Sequence, residues 1–253
     1  MPLPRIRAYF DYYTGKARFL FVHIPKNAGV AMRKSPLLRG RLVGAEPHFH
    51  RSRSYTRQLL KTMKANGEHH GFHHARMIDI HPSVRRRLQP VGVVRNPWSR
   101  VVSRFRFAQL AMKNGASPAD YAASTFEEFL EERHVYGGRD FYWHRAIRGW
   151  YCQADYVVDE QGEIAVDLLR QEHLGDESMR YFSLTEAPRR RNVSGPQSRD
   201  YREYYTTKTI QIVADWYAKD IETFGFDFDT SATRNVCFER PGESLGVESP
   251  AAA

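Results

Sequence analysis

The segment Phe19-Leu-Phe-Val-His-Ile24-Pro25-Lys26-Asn27-Ala28-Gly29 constrains the fold of this chain more than any other. The apolar run from Phe19 to Ile24 stops at Pro25, and a Lys and a Gly follow at once. That pattern predicts a buried strand running into a tight turn, with a short helix starting near Ala28. The first N–H groups of a helix have no partner within it, and its dipole adds positive potential, so such a turn favours an anion. Lys26 adds a mobile point charge, which suits a phosphate-like group on a nucleotide. The same residues also make an ordinary surface turn with a solvated lysine, and the segment alone leaves both readings open. The spacing of a nucleotide-hydrolysing loop, four residues and then Gly-Lys-Ser/Thr, is absent. Lys26 precedes Gly29, and no Ser or Thr follows directly to hold magnesium, so an ordinary ATP or GTP hydrolase is disfavoured.

A second segment shifts the balance. Val91-Gly-Val-Val-Arg95-Asn-Pro97-Trp98-Ser-Arg100-Val-Val-Ser103-Arg-Phe105 reads as a short strand that ends in Arg95, is broken by Asn96-Pro97 and passes into a helix. Pro97 suits the first helical turn, where its missing N–H has no consequence. Arg100 and Ser103, three residues apart, share a helix face. Arg95 at the strand end and Ser103 two turns on are expected to converge on one anion, the first with a planar fork of donors and the second with a hydroxyl. The alternatives are a structural ion pair for Arg95 and a helix-surface position for Ser103.

Together the two segments resemble the paired motifs of the sulfotransferases that use 3′-phosphoadenosine 5′-phosphosulfate (PAPS), specifically the carbohydrate sulfotransferase group. There the first motif reads roughly His-Ile-Pro-Lys-Thr-Gly-Gly-Thr-Ser and the second roughly Arg-Asp/Asn-Pro-x-x-Arg-x-x-Ser-x-Tyr/Phe. Here they stand as His23-Ile-Pro-Lys26-Asn-Ala-Gly29-Val-Ala31 and Arg95-Asn-Pro-Trp-Ser-Arg100-Val-Val-Ser103-Arg-Phe105. The resemblance implies that Pro25, Lys26, Asn27, Ala28, Gly29, Val30 and Ala31 cradle the 5′-phosphosulfate, and that Arg95 and Ser103 hold the 3′-phosphate. Asn27 stands where the family has Thr, Ala28 where it has Gly, and Val30-Ala31 where it has Thr-Ser. Farther on, Gln153-Ala-Asp155 to Asp167, Arg170-Gln-Glu-His-Leu174, Asn192-Val-Ser194, Tyr201 to Tyr205 and Val213 to Phe226 are similar to the family's later blocks. The similarity covers roughly residues 18 to 228.

Charge agrees with an anionic ligand. Lys+Arg 38 against Asp+Glu 29 gives +9 over 253 residues, a balance that favours polyanions. The basic residues are scattered apart from Arg85–Arg87 and Arg189–Arg191, and no zinc-ligand spacing, basic heptad helix or RNA-recognition aromatic motif occurs. Nucleic acid is therefore not the expected partner. Two cysteines, Cys152 and Cys237, do not make a disulfide framework and fit a reducing compartment. No apolar run reaches membrane-spanning length, and the start of the chain lacks a secretory apolar region, so the expected location is cytoplasmic. Oligomeric state is not legible.

The length suits one domain, expected over residues 1–230, with 231–253 a flexible tail. Further helices are expected near Ser54–Asn66, from Ser117, after the capping-box sequence Thr125-Phe-Glu-Glu128, and in one piece from about Thr206 to Phe224, ended by Gly225. Tyr156–Val158 and Ile164–Val166 are expected to pair around Gly162. The aromatic stretch Phe141 to Tyr151 reads as helix and loop, facing the core or, as the alternative, lining an acceptor cleft. A strand, phosphate turn and helix followed by a strand with a ligand residue at its end predict a three-layer, P-loop-like α/β fold, a central parallel sheet flanked by helices.

Sulfuryl transfer from PAPS to a hydroxyl, of a saccharide by the resemblance, needs in-line placement, a base and neutralisation of the leaving oxygen, and no metal. Lys26 is the candidate for the leaving oxygen. Histidine suits a base near neutral pH. The resemblance, in which a catalytic His lies in a His-rich turn, implies one of the histidines of Glu68-His-His-Gly-Phe-His73-His74, with His74 preferred over His73 and a Glu or Asp as the alternative. His23 is expected to orient the turn. A metal site in the His-rich run is disfavoured, because no Cys joins it and adjacent strand residues face opposite ways. An inert polyanion-binding module and a magnesium-dependent kinase are the competing functions.

Overall fold

The computed structural model describes residues 3–44, 74–80, 82–113, 125–136, 151–189 and 200–238. Its centre is a four-stranded parallel sheet in the order β2-β1-β3-β4, formed by β1 (Phe19–Val22), β2 (Leu42–Gly44), β3 (Gln89–Val94) and β4 (Asp167–Arg170). Phe19 pairs with Leu42 on one side and Gln89 on the other, and Val91 pairs with Asp167. The chain leaves β1 toward β2 and then returns to β3 on the opposite side. Strand order therefore reverses between β1 and β3, and a crevice is expected at their carboxyl ends.

Alternation along the strands builds two cores. Leu20, Val22, Val94 and Leu168 pack with Trp98, Val101, Val102, Tyr156, Val213, Tyr217 and Phe224. Phe21, Val91, Val93 and Leu169 pack with Met32, Leu38, Phe182 and Phe238 on the other face. Successive strand side chains point to opposite faces, so an almost wholly apolar strand needs cover on both. The first face is covered by α4 (Pro97–Lys113), α8 (Thr207–Trp216) and α9 (Ala218–Phe224), the second by α2 (Gly29–Arg33) and α7 (Leu174–Phe182). The expected three-layer arrangement of helices about a parallel sheet is present. Helices α1 (Leu3–Tyr13), α3 (Pro82–Arg85), α5 (Phe126–Tyr136) and α6 (Ala154–Val157) complete the described elements, with short 3-10 turns at Pro36–Leu38, Met77–Asp79 and Tyr201–Tyr204. Among the described residues no helix is long and apolar enough to cross a membrane.

Several local expectations are met for the stated reasons. The Thr125 hydroxyl accepts from Glu128 N–H while Glu128 accepts from Thr125 N–H, the reciprocal cap read from sequence. Gly225 ends α9 at φ 65. Helix α2 stops at Arg33, and Pro36 opens a separate turn.

Others need correction. The expected strand pair around Gly162 is reduced to a single antiparallel bridge between Val158 and Ile164. Tyr156 and Val157 are helical because the Asp220 carboxylate accepts from the N–H groups of Gln153 and Ala154 and starts a turn there. The single helix expected from Thr206 to Phe224 is two, divided at Tyr217 (φ −113, ψ 24), a fully buried residue whose hydroxyl takes Arg104. The tail does not begin at 231. Ala232, Val236 and Phe238 are buried, and Cys237 N–H donates to Leu168 O at 2.9 Å, so the packed domain runs to Phe238. The helices expected at Ser54–Asn66 and Ser117, and Phe141 to Trp150, lie outside the described residues.

One buried ion pair ties β4 to α7. Arg170 Nε lies 2.5 Å from Glu177 Oε1, with side chains 5% and 3% exposed. Removing one partner strands the other charge. Arg170→Met is therefore expected to lower the unfolding free energy by about 3 kcal/mol or more, measured by urea denaturation.

Candidate active site

The site is built at the carboxyl ends of β1 and β3. Beyond Val22 the chain bends, with Asn27 N–H donating to Ile24 O at 3.3 Å. Lys26 (φ 70) and Ala28 (φ 53) are both left-handed. Residues with a Cβ seldom adopt that conformation, and such strain persists where the surroundings over-determine it. Ala28 is the N-cap of α2 and makes no side-chain cap hydrogen bond. Gly29 opens the helix, and its lack of a side chain is a matter of space. A Cβ there would sit 1.6 Å from His23 Nε2. The His23 ring lies on Phe21 (5.5 Å between centroids) and against His74 (4.2 Å).

At the end of β3 the Arg95 guanidinium donates to Ser99 Oγ from Nε (2.9 Å) and Nη2 (2.7 Å), and from Nη1 to Lys26 O (3.2 Å). The two motifs thus touch. Asn96 caps α4, accepting from Ser99 N–H at 3.1 Å, and its amide donates to Asp227 O at 2.8 Å and Thr230 O at 2.9 Å. Glu172 accepts from Asn96 N–H at 2.9 Å, which brings the Arg170–Leu174 element to the rim of the site. Asn27 is fully buried and donates to Val93 O (2.8 Å) and Gln153 Oε1 (2.6 Å). Its amide, where the related motif has a hydroxyl, is a tie between the β1 turn and β3.

Charge gathers around Lys26. Burial, then Arg95 and Arg104, push its ammonium down to about 7, and Nζ sits 4.1 Å from the centre of the Phe107 ring. Burial also lowers Arg95 to about 10; Glu172 opposes this, and Arg106 and Arg100 add to it. Arg104, fully buried against Tyr217, is held down to about 10 by burial. Cations crowded into a low-dielectric crevice are stabilised by an anion far more than they would be in water.

The other candidate residues fall as follows. Pro25 is buried, and its carbonyl accepts from Arg100 Nε at 3.2 Å. Val30 is exposed and Ala31 is packed in the interior. Ser103 is half-buried on α4, four residues beyond Ser99, on the same side of the helix. The expected convergence of Arg95 and Ser103 concerns a bound anion; within the protein itself Arg95 holds the hydroxyl of Ser99, one turn before Ser103. His74 is nearly buried, with Nδ1 2.8 Å from His23 O. A carbonyl only accepts, so Nδ1 carries a proton and Nε2 is the atom left for acid–base work. His73 lies outside the described residues. Among the described residues no three His, Cys, Asp or Glu side chains come together as a metal site. Ser99, Arg104, Phe107 and Gln153 were not singled out from sequence. Ser99 sits inside the second motif and has the i, i+4 spacing to Arg95 that would have found it.

Among known proteins, a family model described as the sulfotransferase family matches residues 12–227. No curated protein and no solved structure matches the chain.

Proposed function

This chain belongs to the sulfotransferase family, and from that premise we propose that it moves the sulfuryl group of PAPS to a hydroxyl, of a saccharide by the likeness of its motifs. The observation that carries the donor assignment is the union of the β1 turn and Arg95 at the strand-order reversal, where Lys26 is pushed down to about 7 by burial and by Arg95 and Arg104. That environment fits an anion with phosphate at more than one point. Bound there, the nucleotide supplies an activated sulfuryl group on a phosphate leaving group. The turn N–H groups and Lys26 take the 5′ end, and the Lys26 ammonium neutralises charge on the departing bridging oxygen. Arg95, with Ser99 and Ser103 behind it on α4, takes the 3′-phosphate. His74, with Nδ1 committed to the His23 carbonyl, removes the acceptor proton at Nε2.

The test is binding and transfer together. The desulfated product, 3′-phosphoadenosine 5′-phosphate, present at a hundred times its dissociation constant, stabilises by about 2.7 kcal/mol. For a domain of this size that raises Tm by roughly 5–10 °C. Radiolabelled sulfate should pass from PAPS to one or more members of a panel of glycans. No binding at millimolar concentration overturns the donor assignment. Binding without transfer to any glycan, lipid or phenol favours a polyanion-binding module, and magnesium-dependent ATP binding favours a kinase.

A further inference from the structure

We propose that Gln153 is a positioning residue that sets the separation between the two anion-binding ends of the site, itself held in place by Asp220. The inference rests on the reading above, in which the β1 turn and Arg95 take opposite ends of one nucleotide.

The pairing of β1 with β3 ends at Val22 and Gly92, so Asn27 and Arg95 both lie beyond the sheet ladder and need other ties. Asn27 reaches Val93 O and Arg95 reaches Lys26 O directly, and Gln153 adds a bridge between Asn27 and Arg95 from a fully buried position. Its Oε1 accepts from Asn27 Nδ2 at 2.6 Å and from Arg95 N–H at 2.9 Å, while its Nε2 donates to Arg95 O at 2.8 Å. A main-chain N–H only donates and a carbonyl only accepts, so the orientation of the Gln153 amide is fixed by Arg95. The base of the residue is clamped in turn. Asp220, fully buried on α9, accepts from Gln153 N–H and Ala154 N–H, each at 2.9 Å. One residue thus joins the first motif to the second through its side-chain amide and, through its main-chain N–H, fastens both to the closing helix.

A ligand that engages both ends gains from a preset separation, because its second contact is then made without further ordering. A ligand that engages one end gains nothing. Positioning therefore has a signature that general stabilisation lacks. Gln153→Met keeps the length of the side chain and removes its polar contacts. Gln153→Glu keeps two acceptances but sets a carboxylate oxygen against the Arg95 carbonyl. The affinities to measure, by calorimetry on folded protein, are those for 3′-phosphoadenosine 5′-phosphate, adenosine 5′-monophosphate and adenosine 3′-monophosphate.

The bisphosphate should bind about ten- to a hundredfold more weakly to either variant, with each monophosphate changed less than about threefold. The KM for PAPS should rise in step while the KM for the acceptor stays level. Unchanged bisphosphate affinity, or an equal loss for all three nucleotides, overturns the inference. If neither variant folds, amide exchange on the unmodified protein decides. The bisphosphate, and neither monophosphate, should slow exchange at Gln153 and Ala154; unaltered exchange there overturns the inference. An unmodified protein that binds no bisphosphate overturns the donor assignment and this inference with it, whereas tight binding to both parent and variant overturns the inference alone.

Discussion

Lys26→Met should lower kcat for sulfuryl transfer by about a hundred- to a thousandfold, the loss typical of removing a single group that stabilises transition-state charge. It should do so without loss of thermal stability. Burial and the neighbouring Arg95 and Arg104 bring Lys26 from 10.5 down to about 7 in the folded protein. Between those two values the unfolded chain binds the proton and the folded one does not. Stability contributed through this group therefore rises with pH from about 7 to about 10.5 and is least below 7. A methionine of similar length removes that dependence. Ligand binding moves the other way. An anion beside Lys26 raises the ammonium's pKa, so above pH 7 binding takes up a proton, and affinity for 3′-phosphoadenosine 5′-phosphate should weaken by about tenfold per pH unit as pH rises beyond 7. The methionine variant should bind more weakly, with a flatter profile. A variant with parental kcat, or a parent whose affinity is level between pH 7 and 9, would remove Lys26 from the chemistry.

What could be read from the chain, and what could not, follows the range of the interactions involved. Both site strands were legible because each apolar run is closed by a proline signal, Pro25 or Asn96-Pro97, and β1, α2, β3 and α4 lie where those signals put them. The parallel sheet followed, since nearly continuous apolar strands need cover on both faces. The charged partners were less legible. Arg95 is legible at the strand end and Ser103 in the motif as ligands of one anion, whereas the bond from Arg95 to Ser99 depends on how the strand turns into the helix. Gln153 had no local signal at all, because its partners lie 58 and 126 residues away in the chain. The same holds for Asp220, whose carboxylate turns an expected strand into α6 from across the fold. Tyr217 reads as one more apolar residue of a long helix, whereas in the fold it lies where that helix divides, with buried Arg104 donating to its hydroxyl. The segment from 231 to 238 looks aperiodic because it packs as an irregular strap, with Cys237 on the β4 backbone and Phe238 under Arg180.

Gly29→Ala is the smallest substitution with a large expected effect. The residue is helical, so left-handed backbone is not at issue; the added methyl has nowhere to go. Its carbon would lie 1.6 Å from His23 Nε2, 2.1 Å from Cδ2 and 2.4 Å from Cε1. The ring has little freedom to withdraw. It is 8% exposed, stacked on Phe21 and packed against His74, whose Nδ1 is bonded to the His23 carbonyl. Either the imidazole leaves the interior or α2 moves off the end of β1, and both displace the turn that carries Lys26. The expected cost is about 3 kcal/mol, the upper part of the range for overpacking, which is a fall in Tm of roughly 6–12 °C for a domain of this size. Nucleotide binding should be lost with it. The cause can be isolated by a second substitution. In Gly29→Ala/His23→Ala the ring is gone and the methyl has room, so the double variant should melt above Gly29→Ala alone, a coupling opposite in sign to two independent losses. Nucleotide affinity should recover less than stability does, because the displaced His23 main chain also holds His74. A Gly29→Ala protein that melts within a degree of the parent and binds the nucleotide normally would show that the His23 ring does not rest on α2.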